Sequence, residues 1–423
     1  MEERLPPEFL AVIVHLGQVC EGCTEGLRVP LRALREGLLP TDLKGISEID
    51  LQRAQAQVAA SADGELDGES AALAARQLEA ADAIKAWGLA EAWCQASLEA
   101  ARHRPESALP WATLAVQAAG RAALPCLPDH CSRELEMLAQ AHRGNALRVL
   151  DEFHGAGQAF HEANESWRAS DSQLFGDMRA RTLSLVASLA IDQRRFDDAL
   201  EDLSEAAEWA RGWLSKPVSF GPTLEIKRAH ALAQLGRTRE AVQLWGEVAR
   251  TLRPTQETRL WLIAQKNQLF YLPDLGQFDR VRSLLPEVRS VAESHGTEAD
   301  RIRVRWVEGR LALGTGEIAR AEELLTSVRQ SFLDLNQGYS AAVASLELAT
   351  VYCQQGKLRQ LRRLAMELVP IFQSKDIHRE ALAALALFQQ AALAEEVTGH
   401  FLEELVSYFR RAEGHPQLRF RKT

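Results

Sequence analysis

The residues with the most chemical potential lie near the start of the chain, where His15, Cys20 and Cys23 form the pattern His-x4-Cys-x2-Cys. Two thiolates on one helical turn, with an imidazole a turn back, can converge on a tetrahedral zinc ion. The set stops at three, because no histidine or cysteine precedes His15. A fourth ligand would have to come from Cys126, His130 or Cys131, or from water. The competing reading is a helix end whose cysteines act as small, partly buried hydrophobes; on it no metal and no other cofactor is expected. Cys126, His130 and Cys131 share one stretch and could ligate a metal by themselves, although a loop between helices accounts for them without one. Hydrolytic and nucleotide chemistry leave no trace: the chain has no Gly-x-Ser-x-Gly elbow, no His-Glu-x-x-His, no phosphate loop and no dinucleotide fingerprint. His378 and Glu380 make no dyad, since residues two apart leave a helix on different sides.

The elements that must carry such residues are helical. Alanine, leucine, arginine and glutamate dominate the 423 residues, a mixture that favours helix over strand. A net charge of −9 argues against nucleic acid as a partner, because phosphate recognition needs a basic surface. Six cysteines are too sparse for a disulfide framework and read as reduced thiols. Met1 is followed by two acids, and the first apolar run, Phe9 to Leu16, is eight residues long. That is short of a signal sequence or a membrane span, so a cytoplasmic protein without a membrane partner is expected.

One phrase recurs through the second half: LGRTREAVQLW from Leu235, LGQFDRVRSLL from Leu275, TGEIARAEELL from Thr315 and QGKLRQLRRLA from Gln355. Its glycines, Gly236, Gly276, Gly316 and Gly356, stand forty residues apart. Glycine turns a chain sharply at little steric cost, so each closes one helix and opens the next. Five residues on stand Ala241, Val281, Ala321 and Leu361; twelve before these stand Ala229, Leu269, Gly309 and Ala349. The same twelve-residue pairing occurs earlier as Gly144 with Ala156 and Ala187 with Ala199. A bulky residue follows four positions later, as Phe160, Leu203, Trp245, Leu285 and Leu325. In the earlier copies Asp151–Glu152 and Arg194–Arg195 stand where the glycine turn would be.

This pattern resembles the tetratricopeptide repeat, in a bacterial type stretched to about forty residues per repeat. The resemblance implies an all-α, right-handed superhelical solenoid of antiparallel helical hairpins. It covers most of a region taken as 68–412, after a helical amino-terminal segment 1–67 and before a basic tail 413–423. His15, Cys20 and Cys23 in turn resemble the amino-terminal zinc motif of bacterial zinc-binding anti-sigma factors, with one residue more between histidine and cysteine.

In tetratricopeptide solenoids the first helix of each pair lines a ligand-binding groove. Here those helices are expected at about 223–235, 257–273, 297–313 and 338–354. Their inward residues are then Lys227 and His230; Lys266, Asn267 and Phe270; and Arg303, Trp306 and Arg310, with Asp274 and Glu347 near the edge. Lys266 and Asn267 partly match repeats that clamp a peptide's terminal carboxylate, but Phe270 stands where such a clamp has asparagine. The function implied is a non-enzymatic scaffold or sensor that binds a protein or peptide, one with an acidic segment suiting these cations. Two alternatives remain: a transcription-regulatory protein, anti-sigma-like or peptide-sensing, and an enzymatic role for the cysteine-containing amino-terminal segment.

Overall fold

The computed structural model describes residues 68–122, 129–170, 176–211, 218–252, 257–373, 379–412 and 419–420. The segment 1–67, with His15, Cys20 and Cys23, lies outside the described residues, as does Cys126. His130 and Cys131, expected in a loop, fall in the first turn of a helix that begins at Asp129. The described residues form seventeen α-helices and one 3-10 turn, with no strand among them. They are α1 (Gly68–Glu79), α2 (Ala83–His103), α3 (Pro105–Ala119), α4 (Asp129–Val149), α5 (Phe153–Ser170), α6 (Gly176–Asp192) and α7 (Phe196–Arg211). Then follow α8 (Phe220–Gln234), α9 (Thr238–Thr251), α10 (Thr258–Tyr271), the 3-10 turn Pro273–Leu275, α11 (Phe278–His295) and α12 (Glu298–Gly314). The last are α13 (Ile318–Asp334), α14 (Gly338–Gln354), α15 (Leu358–Gln373), α16 (Arg379–Leu393) and α17 (Gly399–Ala412). The chain is an all-α solenoid of helical hairpins, and it groups into two compact units that part between Leu224 and Glu225.

The turns between paired helices share one hydrogen-bond device. Gly236, Gly276, Gly316 and Gly356 all have positive φ, between 66° and 80°. The next N–H in each case bonds five residues back: Arg237 to Leu232, Gln277 to Leu272, Glu317 to Ala312 and Lys357 to Tyr352. This satisfies a carbonyl left over at the helix end and needs a left-handed residue in between. Asp151, Arg194, Asn336 and Glu395 take the same conformation without being glycine, with the same five-residue bond from Glu152, Arg195, Gln337 and Glu396. The expectation that Asp151 and Arg194 replace the turn glycine is therefore met. Asn336 and Glu395 add two such turns.

Within each hairpin the small residues let two backbones close. Ala229, Ala241, Leu269, Val281, Ala321, Ala349, Ala156, Ala187 and Ala199 are all fully buried. A Cβ added at Gly309 would stand 3.1 Å from the Leu325 side chain, and one at Gly144 would stand 2.9 Å from the Phe160 ring. So the bulky residue of the second helix lies over the small residue of the first, as its spacing implies. In the first unit α2 packs on α3, α4 on α5 and α6 on α7, around Trp93, Trp111, Leu135 and Met137. In the second, neighbouring helices from α9 to α16 pack in chain order, and α17 then returns to α14. Phe401, Leu402, Leu405, Tyr408 and Phe409 bury the apolar face of α17.

Two measurements test these features. Gly316 has open space around it, so Gly316→Ala meets only the backbone cost of positive φ and should lose about 1 kcal/mol in urea unfolding. Arg194→Gly should be neutral or stabilising, since it removes that cost at a turn that bears it; a loss of stability there would show that the Arg194 side chain matters more than its backbone. The second concerns His142 on α4, which is 3% exposed with its Nδ1 unpartnered. Burial, and then the charge of Arg181, lower its pKa from 6.5 to about 3. The folded chain therefore refuses a proton that the unfolded chain accepts. This contribution is complete above about pH 6.5 and is lost as pH falls from there to about 3. Asp202 acts with the opposite sign, because burial, and then Glu205, raise it from 3.8 to about 6. Relative to His142→Gln, wild-type stability should fall by about 1.4 kcal/mol per pH unit within the histidine window. Parallel curves for the two proteins would overturn the assignment.

Candidate functional site

The first helices of the second unit arise where the sequence places them: α8, α10, α12 and α14 match the expected ranges to within about three residues. Forty-residue spacing gives them equivalent positions. Lys227, Asn267, Val307 and Glu347 form one such set, and His230, Phe270, Arg310 and Thr350 another. The eight residues expected to line a groove do not share one environment. Lys266, Trp306 and Arg310 are buried, Lys227, His230, Asn267 and Phe270 are half-buried, and Arg303 is exposed.

Lys266 is tied to the start of α12. That helix opens with a capping box, in which Thr297 accepts from the Asp300 N–H and the Asp300 carboxylate accepts from the Thr297 N–H. Asp300, 2% exposed, also accepts hydrogen bonds from Lys266 and Arg259 of α10. Burial pushes the Asp300 carboxyl up, but hydrogen bonding to Lys266, that ammonium's charge, and then Arg259 and Thr297 outweigh it and hold the group well below the usual carboxylate range. Burial likewise pulls the Lys266 ammonium down against the opposing pull of Asp300. One carboxylate thus caps α12 and ties it to α10.

Arg310 is the hub of a second network. Its guanidinium donates to the Phe270 carbonyl at the end of α10, to Asp274 in the 3-10 turn, and through Nε to Glu347 of α14 at 3.1 Å. It lies over the Phe270 ring, with Cζ 4.9 Å from the centroid. Arg410 of α17 approaches the same carboxylates, donating to Asp274 at 2.6 Å and to Glu347, with Cζ 5.6 Å from the same ring. Trp306 donates its indole N–H to the other Glu347 oxygen and meets Phe270 edge to face at 4.9 Å. Two cations alternate with two anions. Burial pushes the Asp274 carboxyl up, but the charges of Arg310 and Arg410 outweigh it and leave the group below its ordinary value. Burial works against the Arg410 charge, and Asp274 and Glu347 more than restore it.

The sequence reading placed Asp274 and Glu347 at the edge and missed Arg410, Asp300 and Arg259. One signal was available: Glu347 is the single charged residue of Gly338–Gln354, and a lone carboxylate in an apolar helix needs a partner. Nothing in the sequence names that partner as Arg410. Among the described residues no group of three histidine, cysteine or acidic side chains could hold a metal ion, and no helix is long and apolar enough to cross a membrane. Burial pushes the Cys94 thiol up, away from nucleophilic use.

Helical hairpins with glycine turns and a shared first-helix face define a helical-repeat protein. Among solved structures the fold is similar to a Rap protein complexed with competence and sporulation factor, at a TM-score of 0.55 and 12% identity over 75% of this chain and 85% of that one. It is also similar to the apo form of RapI, at 0.55 and 11% over 76% and 86%, and to aspartyl phosphate phosphatase F from Bacillus subtilis, at 0.50 and 11% over 88% and 96%. At these identities the likeness is one of fold. No family profile and no curated protein matches the sequence.

Removing one partner from a buried charge network leaves the others uncompensated. Glu347→Ala, which leaves Arg310 and Arg410 to share Asp274 alone and takes the acceptor from the Trp306 N–H, should cost about 3–5 kcal/mol in urea unfolding. Arg303→Ala, at an exposed position, should stay within about 0.5 kcal/mol of wild type. Similar small effects from both would mean that the network contributes little to holding α10, α12, α14 and α17 together.

Proposed function

We propose that this chain is a non-enzymatic, cytoplasmic scaffold or sensor that binds a protein segment or peptide along its first-helix face. The observation that carries the reading is internal to the molecule. That face already receives a helix: α17 docks on α14 and reaches Phe270, Asp274 and Glu347 through Arg410. Equivalent positions in earlier repeats, His230 for Phe270 and Lys227 and Asn267 for Glu347, continue the same surface, and exposed Arg303 adds a further cation. A surface that accepts an arginine where it carries Asp274 and Glu347 would, by the same rule, accept acidic side chains where it carries Lys227, His230 and Arg303. The fold likeness to a Rap protein solved with competence and sporulation factor supports a binding role. Lys266, Trp306 and Arg310 then shape the surface from beneath and do not contact the ligand.

The test is affinity capture with mass spectrometry, comparing wild type with Lys227→Glu combined with Arg303→Glu. The charge reversal should weaken capture of the identified partner roughly tenfold or more, and added salt should weaken the wild type. The control is Glu293→Lys with Glu323→Lys, two exposed carboxylates on the second helices α11 and α13. Equal capture by both double variants would place the partner elsewhere.

A further inference from the structure

A cavity of about 450 Å³ lies between α9, α10 and α11, on the side of the second helices and away from the residues assigned above. Arg239 and Arg250 of α9 and Arg280 of α11 are at its rim, and Gln265 and Gln268 of α10 lie beneath. The volume is that of a small-molecule site, several times what a single inorganic ion fills. All three arginines are exposed, and two of them donate to neutral groups: Arg250 Nε to the Gly246 carbonyl and Arg280 Nη1 to the Gln277 side chain at 2.9 Å. Among the described residues none of the three is paired with a carboxylate, and no acidic residue lines the cavity. In the same unit Arg237, Arg259, Arg289, Arg310 and Arg329 hold carboxylates, while Arg301 and Arg305 donate to neutral groups as these do.

The floor supplies the second observation. Gln268 is committed: its amide donates to the Val242 carbonyl at 3.1 Å, and it occupies the space left by Gly246, where a Cβ would stand 2.2 Å from that nitrogen. Gln265, one turn earlier on the same face of α10, is 9% exposed; its side-chain oxygen has no donor among the described residues and is closed to solvent, so its amide must turn toward the cavity to meet a ligand. A buried amide oxygen without a partner costs about 1–3 kcal/mol, which a ligand donor would recover. Guanidinium groups match the planar or trigonal oxygens of carboxylates and phosphates. From the three cations at the rim and the unsatisfied acceptor below, we infer that this cavity binds a small organic oxyanion, a phosphate ester or polycarboxylate that also carries a hydroxyl or amino group. The anion sits among Arg239, Arg250 and Arg280, and the hydroxyl or amino group donates to Gln265. The site shares no residue with the first-helix face, so the two proposals stand or fall separately.

Isothermal titration of the full chain with glucose 6-phosphate, citrate and inorganic phosphate, each against sodium chloride at matched ionic strength, tests the assignment. Saturable binding of the sugar phosphate or of citrate is expected, and which of the two binds tells phosphate from carboxylate. Arg239→Ala with Arg280→Ala should weaken that binding at least tenfold, with the thermal melt of the unliganded protein unchanged. Gln265→Leu should weaken the hydroxylated ligand while leaving inorganic phosphate as it was. Heats no different from those of chloride, or binding that survives the arginine substitutions, would overturn the inference. So would binding of inorganic phosphate alone, which would mark an adventitious ion only.

Discussion

The second unit depends on how Arg310 is satisfied. A guanidinium on the inner face of α12 cannot be buried without anions, and these come from two other places, the 3-10 turn after α10 and the middle of α14, whose carboxylates Arg410 on α17 shares. Helix packing alone would set the spacing of α10, α12 and α14 loosely, because apolar contacts tolerate small slides. Directional charge-assisted hydrogen bonds tolerate much less. The Phe270 ring beneath both guanidiniums and the Trp306 indole against Glu347 pack the network from the side, and among the described residues only the Arg410 Nε is left without an acceptor in it.

Hairpin architecture was legible because it rests on local rules. Gly236, Gly276, Gly316 and Gly356 announce left-handed turns, and the twelve-residue pairs announce close helix contacts, each within about twenty residues of chain. Arg194 and Asp151 show the limit of the glycine rule: a turn that the hairpin geometry enforces will hold a non-glycine residue at positive φ.

The candidate site was half legible for a different reason. Placing Lys227, Lys266, Arg303 and Arg310 on first helices follows from periodicity, but whether a cation there is open or buried depends on groups thirty to forty residues away. Lys266 is taken by Asp300 and Arg310 by Asp274 and Glu347, each from another repeat. Arg303 lies a single turn along α12 from Asp300, is held by no carboxylate among the described residues, and stays exposed. The cavity under Arg239 and Arg280 escapes sequence reading altogether, since its lining comes from three helices and Gln268 fills the space that Gly246 leaves.

Arg410 and Asp274 are 136 positions apart, which makes their contact an event late in synthesis. Helices α10 to α14 emerge first, each able to pair with its neighbour soon after it is made. Throughout that interval Asp274 and Glu347 have one arginine between them, an excess negative charge on the growing face. Only when α17 appears does the second cation arrive. A nascent chain therefore carries its acidic first-helix face exposed until α17 is available, and that interval is when chaperones or foreign basic segments would compete with α17 for the same seat.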